Sequence, residues 1–165
     1  MHEVSRPLGL ICYDLFREPL FILGLIFKVL LIISLVPVIQ DSWFVPFIIN
    51  WITNPLSSPW TSHLFVEGDI LAFPYGITMF IFHLPATALG WIIDQVIKVE
   101  YFANFGFRFS LLIADFFLLI FLIQAYENLW KKVIIFYWLS PLVIFINYWH
   151  GQTAVSYTHL RAHET

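Results

Sequence analysis

Four long apolar runs alternate with short polar segments along this chain, covering residues 20–39, 72–93, 109–125 and 133–149. A helix rises about 1.5 Å per residue, so about twenty apolar residues cross a hydrocarbon core of about 30 Å. The fourth run is shorter than this and is interrupted by Ser140-Pro141. The pattern therefore predicts an all-α fold, a polytopic transmembrane helical bundle with about four transmembrane helices.

The segment between the first two runs, residues 40–74, contains no Lys or Arg. Its acidic residues are Asp41, Glu67 and Asp69. Trp and Phe are spread through it, as is typical of segments at a membrane interface. Asp41 and Ser42 are suited to cap a short helix over residues 43–52, which is too short to cross the bilayer. We expect this short helix to lie along the interface.

Basic residues predict the orientation of the first span. Arg6 and Arg17 precede it and the loop that follows has no basic residue, so the positive-inside rule places the amino terminus in the cytoplasm and the acidic loop outside. Residues 1–18 suggest a short helix at the cytoplasmic surface. Counting spans from there makes the second loop cytoplasmic, and its charged markers are Asp94, Lys98, Glu100 and Arg108.

The same count places Lys131 and Lys132 outside, against the charge rule. Two interpretations stay open. Either two lysines do not outweigh the first helix, or they bind the phosphate of a lipid carrier at the outer surface.

Composition agrees with a multi-pass integral membrane protein surrounded by lipid. Hydrophobic residues make up 60% of the chain, charged residues 12%, and the mean hydropathy is +0.83. The net charge is −3 and no basic run occurs, which argues against a nucleic-acid partner. The single cysteine, Cys12, excludes an intramolecular disulfide and a cysteine-built metal site.

The final residues differ abruptly from the rest of the chain. Residues 155–165 are polar and rich in His, and they look like one reading frame of a transposon-type sequencing-library adapter. We therefore exclude residues 154–165 from the fold. We expect residues 1–153 to be the amino-terminal part of a longer protein and to be inactive alone.

Two charged residues fall inside apolar runs, where charges are costly unless they pair or line a polar cavity. Lys28 and Asp115 lie at similar distances from the cytoplasmic edge, within about 15 Å of it, and could pair. Such a pair would either fix helix packing or take part in function. His83 has no second metal ligand at i+3 or i+4, so we interpret it as a hydrogen-bonded core histidine.

Two segments resemble those of known enzymes. Residues 68–76 read Gly-Asp-Ile-Leu-Ala-Phe-Pro-Tyr-Gly and are similar to the loop-to-helix entry of C-type glycosyltransferases, where an acidic residue precedes a Tyr-Pro-Pro or related element. Residues 140–152 end in His-Gly-Gln and are similar to a segment of bacterial and glycosylphosphatidylinositol-type mannosyltransferases. The order of first helix, acidic outward loop and second helix agrees with the start of this family.

The resemblance implies transfer of a hexose, such as mannose, from a polyprenyl- or dolichyl-phosphate sugar to an acceptor. The reaction would take place on the non-cytoplasmic face of a bacterial inner membrane or the endoplasmic reticulum. The carboxylates implied for catalysis are Asp69, Asp41 and Glu67, and Asp69 is expected to matter more than Asp41 because it adjoins the family-like element at the helix entry. The residues implied for binding the lipid-linked donor or the acceptor are Tyr75, His150, Gln152, Lys131 and Lys132.

The cofactor stays open, because loop carboxylates are suited either to a divalent cation or to a base. An ordinary solvated loop would carry the same residues. The alternative function is a transporter or flippase with Lys28 and Asp115 in its pathway, or a non-enzymatic membrane protein. Internal inverted repeats would favour the transporter, whereas further spans with a basic outer loop would favour the transferase.

Overall fold

Helices are the regular elements in the part of the chain that the structure describes, and no strand occurs there. The structure, a computed structural model, describes residues 7–67, 73 and 76–150, without the side chains of residues 64–67. The described residues form the α-helices α1 Leu8–Leu15, α2 Pro19–Ser34, α3 Val45–Thr53, α4 Pro59–Glu67, α5 Ile77–Ile97, α6 Phe102–Ala125, α7 Trp130–Val133 and α8 Pro141–Ile144. Further single turns are π-helical at Gln40–Phe44, Ile134–Trp138 and Phe145–His150, and 3₁₀ at Glu127–Leu129.

Two helices, α5 with 21 residues and α6 with 24, are long and apolar enough to cross a membrane. The helical stretches Glu127–Trp138 and Pro141–His150 meet at a bend of 45° and make a third span if the pair counts as one. The chain is thus an integral membrane protein with two to three candidate spans among its described residues, and the expected number of about four is not confirmed.

The first apolar run forms a shorter helix than its composition suggests. Helix α2 has 16 residues and ends at Ser34, where Leu35 turns to an extended conformation. Pro37 follows closely, and a proline disfavours helical geometry in the residue before it. The apolar residues beyond Leu35 therefore lengthen the hydrophobic run without lengthening the helix.

Helices α5 and α6 form a tightly packed hairpin at two glycines. A Cβ atom on Gly90 would lie 1.9 Å from the carbonyl oxygen of Phe102, and one on Gly106 would lie 2.1 Å from that of Ala86. The backbones are in direct contact at both points, so only glycine fits there. The turn itself passes through Lys98, which has a φ of 63°.

Asp94 and Arg108 were expected in a polar loop between two spans. Both instead lie within the helices of this hairpin. Helix α6 begins at Phe102, so Arg108 lies inside it and is only 2% exposed. The carboxylate of Asp94 accepts hydrogen bonds from the backbone N–H groups of Tyr101, Phe102 and Ala103 at 2.8–3.1 Å. Asp94 thus satisfies amide groups that the first turn of α6 would otherwise leave unpaired.

The end of α2 lies beside the start of α6, which defines one end of the bundle, here called the Asp41 end. The hydroxyl of Tyr101 donates to the carbonyl of Ile33 at 3.0 Å, and the guanidinium of Arg108 donates to the carbonyls of Ile32 and Leu35. The amide of Asn104 donates to Asp41 at 2.9 Å. Residues just after α2 and the α5–α6 turn therefore share one end of the bundle.

The start of α2 lies at the opposite end, here called the Lys131 end. The ammonium of Lys131 lies 4.0 Å from the carboxylate of Glu18. The indole N–H of Trp138 donates to the carbonyl of Phe21 at 3.0 Å. Helix α1 contributes Ile11 and Leu15 to the core at this end.

The positions of the Asp41 end and the Lys131 end show that the expected arrangement of the loops is wrong. The count of spans placed the loop after the first span and the α5–α6 turn on opposite faces, whereas the structure brings Asp41 and that turn together. The reason is α3, which runs back along α5 in the antiparallel direction: Val45 lies by Trp91, and the rings of Trp51 and Phe80 are 5.3 Å apart. Part of the expected outer loop is thus a packed return segment.

The short helix expected over residues 43–52 is present as α3, Val45–Thr53, but it is part of the core. Phe47 and Ile48 are at most 2% exposed, and Phe47 stacks on Phe73 at 4.9 Å. The expected capping by Asp41 and Ser42 is wrong, because a π-helical turn already begins at Gln40 and makes no side-chain cap.

Candidate functional site

The residues expected to form the site divide into three groups in the structure. Asp69, Tyr75 and Gln152 lie outside the described residues, and only the backbone of Glu67, the last residue of α4, is described. Asp41 lies at the end of the bundle that bears its name. Lys131 and Lys132 lie at the opposite end, and the structure does not bring them together with Asp41.

His150 is exposed. Its ring stacks on Phe145 with a centroid distance of 6.0 Å. Two residues earlier, the hydroxyl of Tyr148 donates to Asp115, which lies in the middle part of α6. Of the expected site residues that the structure describes, Asp41 is therefore the one that lies in a polar cavity.

The cavity at the Asp41 end is formed by two parts of the chain that are far apart in sequence. Its volume is about 310 Å³, close to the lower end of the range of about 300–1,000 Å³ that is usual for small-molecule sites. The residues that line it are Asp41, Val45, Pro46, Ile49, Trp91, Asp94, Gln95, Val99, Glu100, Ala103 and Asn104. The lining combines apolar residues of α3 with polar and apolar residues of the α5–α6 hairpin.

Asp41 is held on one carboxylate oxygen by the side-chain amide of Asn104, at 2.9 Å, while the residue itself remains exposed. Asn104 is 9% exposed, and its own carbonyl oxygen has no hydrogen-bond partner among the described residues. Arg108 lies close enough to attract the Asp41 carboxylate. The result is a fixed carboxylate beside a buried carbonyl oxygen.

Arg108 fixes the position of these groups from inside the bundle. Besides the two carbonyls at the end of α2, it donates from Nε to the backbone carbonyl of Asn104 at 3.1 Å. A cation at the carboxyl end of a helix also opposes the partial negative charge of its free carbonyls. Arg108 therefore ties the end of α2, and with it the chain leading to Asp41, to α6.

The three carboxylates of the cavity differ in what they can do. Asp94 is 6% exposed and its oxygens already accept three backbone hydrogen bonds. Glu100 is exposed at the rim. Among the described residues, no group of three or more His, Cys, Asp or Glu side chains is placed to hold a metal ion. Asp41 is the carboxylate that is both fixed and accessible.

A second polar cluster lies inside the bundle and confirms the expected pairing of Lys28 with Asp115. The ammonium of Lys28 is 2.5 Å from the Asp115 carboxylate, and both side chains are at most 1% exposed. The hydroxyls of Tyr137 and Tyr148 donate to the same carboxylate at 2.5 and 2.9 Å. Lys28 also lies 3.5 Å from the centre of the Trp138 ring. Both oxygens of the Asp115 carboxylate thus accept hydrogen bonds. The network joins α2 and α6 to the bent pair of helical stretches Glu127–Trp138 and Pro141–His150.

His83 is a core histidine, as expected. Its Nδ1 lies 2.5 Å from the hydroxyl of Ser110, and that hydroxyl donates to the carbonyl of Phe107 at 2.6 Å. The hydroxyl of Ser110 thus links the His83 ring to the backbone of α6. The ring also stacks on Phe107 at 4.3 Å.

The fold and the cavity together define an α-helical integral membrane protein with an acidic cavity at one end of its bundle. No family model, curated protein or solved structure matches the chain. The case for a function therefore depends on the geometry of the cavity and on the resemblance of two short segments.

Proposed function

We propose that the protein is a membrane glycosyltransferase that transfers a hexose, such as mannose, from a polyprenyl- or dolichyl-phosphate sugar to an acceptor at the Asp41 end. The observation that carries the proposal is the position of Asp41. It follows the first apolar helix, is fixed by Asn104 and is open to a cavity at an end of the bundle. A carboxylate there lies where the head group of a lipid-linked donor would be.

In this proposal Asp41 acts on the acceptor hydroxyl. Its free carboxylate oxygen accepts the hydroxyl proton as the acceptor oxygen bonds to the anomeric carbon of the sugar. The bond between that carbon and the phosphate oxygen breaks, and the lipid phosphate leaves with the electron pair. Asn104 keeps the carboxylate in position, which is the geometric contribution that a preorganised site makes.

The proposed orientation follows from the two ends of the bundle. Arg17 precedes α2, and Lys131 lies by Glu18 with Lys132 next to it in the sequence, so these cations share one end. The positive-inside rule makes that end cytoplasmic and the Asp41 end non-cytoplasmic. The two lysines then no longer conflict with the charge rule. Their position also argues against a role in binding the donor phosphate at the Asp41 site.

The alternative function, a transporter with Lys28 and Asp115 in its pathway, has less support. Both side chains are buried, and the carboxylate is bonded to one ammonium and two phenols. A group that binds a transported ion needs access from a cavity, whereas this cluster is closed by aromatic rings. The cluster is better explained as a link between helices.

The test is donor-sugar turnover in membranes that contain the whole protein, with radiolabelled polyprenyl-phosphate mannose as the donor. Loss of a general base typically lowers a rate by about 10² to 10⁴. We expect a fall of about a hundredfold or more for Asp41→Asn at unchanged expression, and little change for Asp14→Asn, which removes a carboxylate at the other end. Full turnover by Asp41→Asn would contradict the proposal, and loss with Asp69→Asn alone would transfer the role to Asp69.

A further inference from the structure

Helices α3 and α4 form a hairpin that enters the bundle from the Asp41 end. Helix α3 runs away from that end, and α4 packs against it, with the rings of Phe47 and Trp60 5.6 Å apart. The hydroxyl of Ser62 donates to the side-chain oxygen of Asn50 at 3.1 Å. Residues 54–58, between the two helices, are not helical. This segment, here called the α3–α4 turn, is thus the inner tip of the hairpin.

The depth of the α3–α4 turn follows from the contacts of α3 and α5. Near the end of α3, the ring of Trp51 lies 5.3 Å from that of Phe80, which is about 21 Å along α5 from the Asp41 end. One helical turn after Phe80, His83 contacts Ser110, which is about 22 Å from the other end of α6. The α3–α4 turn therefore lies roughly 20 Å from either end of the two spans, near the middle of a hydrocarbon core of about 30 Å.

The α3–α4 turn is polar, although lipid tails surround a bundle at this depth. A groove of about 660 Å³ lies beside it, and the residues that line the groove are Asn50, Thr53, Asn54, Pro55, Leu56, Ser57 and Ser62. None of these side chains is charged, and Leu56 is fully exposed. The amide nitrogen of Asn50 and the amide oxygen of Asn54 have no hydrogen-bond partner in the described part of the chain. The groove thus offers both an uncharged donor and an uncharged acceptor.

We propose that the α3–α4 turn lies in a water-filled cavity near the middle of the bilayer. Non-helical backbone and polar groups without partners do not face lipid tails, and at this depth they occur where protein or water surrounds them. The described residues leave Leu56 and its polar neighbours uncovered. Water satisfies donors and acceptors alike, and a lining without charged side chains favours water over an ion. The inference does not depend on the proposed transferase, and it is tested without turnover.

The experiment measures how fast a cysteine at the α3–α4 turn is modified from water. The chain carries Cys12→Ser and one reporter, Leu56→Cys or Ser57→Cys, and both reporter positions line the groove. A matched reporter at a similar depth on α5, Ile81→Cys, is 59% exposed and does not line the groove. Ser42→Cys, exposed at the Asp41 end, gives the rate in open water. The reagent is a small membrane-impermeant methanethiosulfonate, added separately to intact cells and to inverted vesicles.

We expect both reporters at the turn to react almost as fast as a cysteine in open water. Only the thiolate reacts, and a thiol surrounded by lipid tails does not ionise. The rates of Leu56→Cys and Ser57→Cys should therefore lie within about tenfold of that of Ser42→Cys, and at least about a hundredfold above that of Ile81→Cys. Because Ser57→Cys replaces a single atom, a folding defect in Leu56→Cys would not decide the result.

The side from which the reagent acts locates the opening of the cavity. Reaction from the same side as Ser42→Cys would support the cavity and place its opening at the Asp41 end, whereas reaction from the other side would support it and place the opening at the Lys131 end. Rates for both reporters as low as that of Ile81→Cys would overturn the inference, because lipid or protein would then seal the turn from water. Fast reaction of Ile81→Cys would overturn it as well, since the outer surface of α5 would then face water at the same depth.

Discussion

Removing the cation from the buried Lys28–Asp115 pair should strongly destabilise the bundle. The Asp115 carboxylate accepts three hydrogen bonds, from Lys28, Tyr137 and Tyr148, and lies out of contact with solvent. In Lys28→Met the ammonium is lost, while the carboxylate remains buried with two phenols as its partners. The side chain that replaces the lysine has similar length, so the main change is electrostatic.

The size of the effect follows from burial. Breaking a buried pair by removal of one partner costs about 3–5 kcal/mol, because an uncompensated charge is left behind. Since about 1.4 kcal/mol corresponds to a tenfold change, the unfolding equilibrium constant should rise by a factor on the order of a hundred or more. Asp115→Asn should also destabilise, because it leaves the ammonium buried. The double variant, Lys28→Met with Asp115→Asn, has no buried charge and should cost less than the sum of the single variants by more than about 1 kcal/mol.

The assay is reversible unfolding of the purified chain in mixed micelles by added dodecyl sulfate, followed by circular dichroism and tryptophan fluorescence. Lys132→Met is the matched control, because Lys132 is exposed and its removal should change the free energy of unfolding by about 0.5 kcal/mol or less. The reasoning would be refuted if Lys28→Met behaved like Lys132→Met, or if the effects of the two single variants simply added.

Two further variants test the hairpin of α5 and α6 in the same unfolding assay. Gly90→Ala places a Cβ 1.9 Å from a backbone oxygen, so we expect a loss of at least about 1–3 kcal/mol, whereas Gly9→Ala, where no atom lies within 4 Å, should be nearly neutral. Equal stability of the two variants would show that the backbones of α5 and α6 do not approach each other this closely. Asp94→Ala leaves three backbone N–H groups without their acceptor and should cost about 1–3 kcal/mol, against about 0.5 kcal/mol or less for the rim variant Glu100→Gln. A neutral Asp94→Ala would mean that Asp94 does not cap α6.

Local patterns predicted the parts of this fold that depend on nearby residues. The second apolar run became α5, and a short helix formed after Asp41, because helix formation follows composition and spacing along the chain. Lys28 and Asp115 could be paired from sequence since each is a lone charge in an apolar run, and a charge in such a run needs a partner.

The start of α6 could not be predicted by the same reasoning. Arg108 was taken to mark a loop because it is charged, yet it lies inside the helix. Its partners are carbonyl groups at the end of α2, more than seventy positions earlier in the chain, and a pattern read along the sequence does not show them. Tertiary contacts outweighed the local signal.

One residue of the candidate site could be predicted from the sequence, but the other residues that line the cavity could not. Asp41 was one of three candidate carboxylates, named for its place after the first apolar run, but Asp69 was expected to matter more and lies outside the described residues. Asn104, Glu100 and Trp91 were missed because counting spans as straight crossings put them on the opposite face. The run of aromatic residues from Phe44 to Trp60 was a usable signal, because side chains this large are often buried in a packed segment and not only spread along an interface.

The shared end of Asp41 and the α5–α6 turn is the central claim, and labelling of single cysteines from one side of a sealed membrane tests it most directly. The chain carries Cys12→Ser and one of three exposed reporters: Ser42→Cys, Glu100→Cys or Lys131→Cys. A membrane-impermeant maleimide is added to intact cells and, separately, to inverted vesicles. The structure predicts that positions 42 and 100 react from the same side and that position 131 reacts from the other. Reaction of positions 42 and 100 from opposite sides would contradict the account.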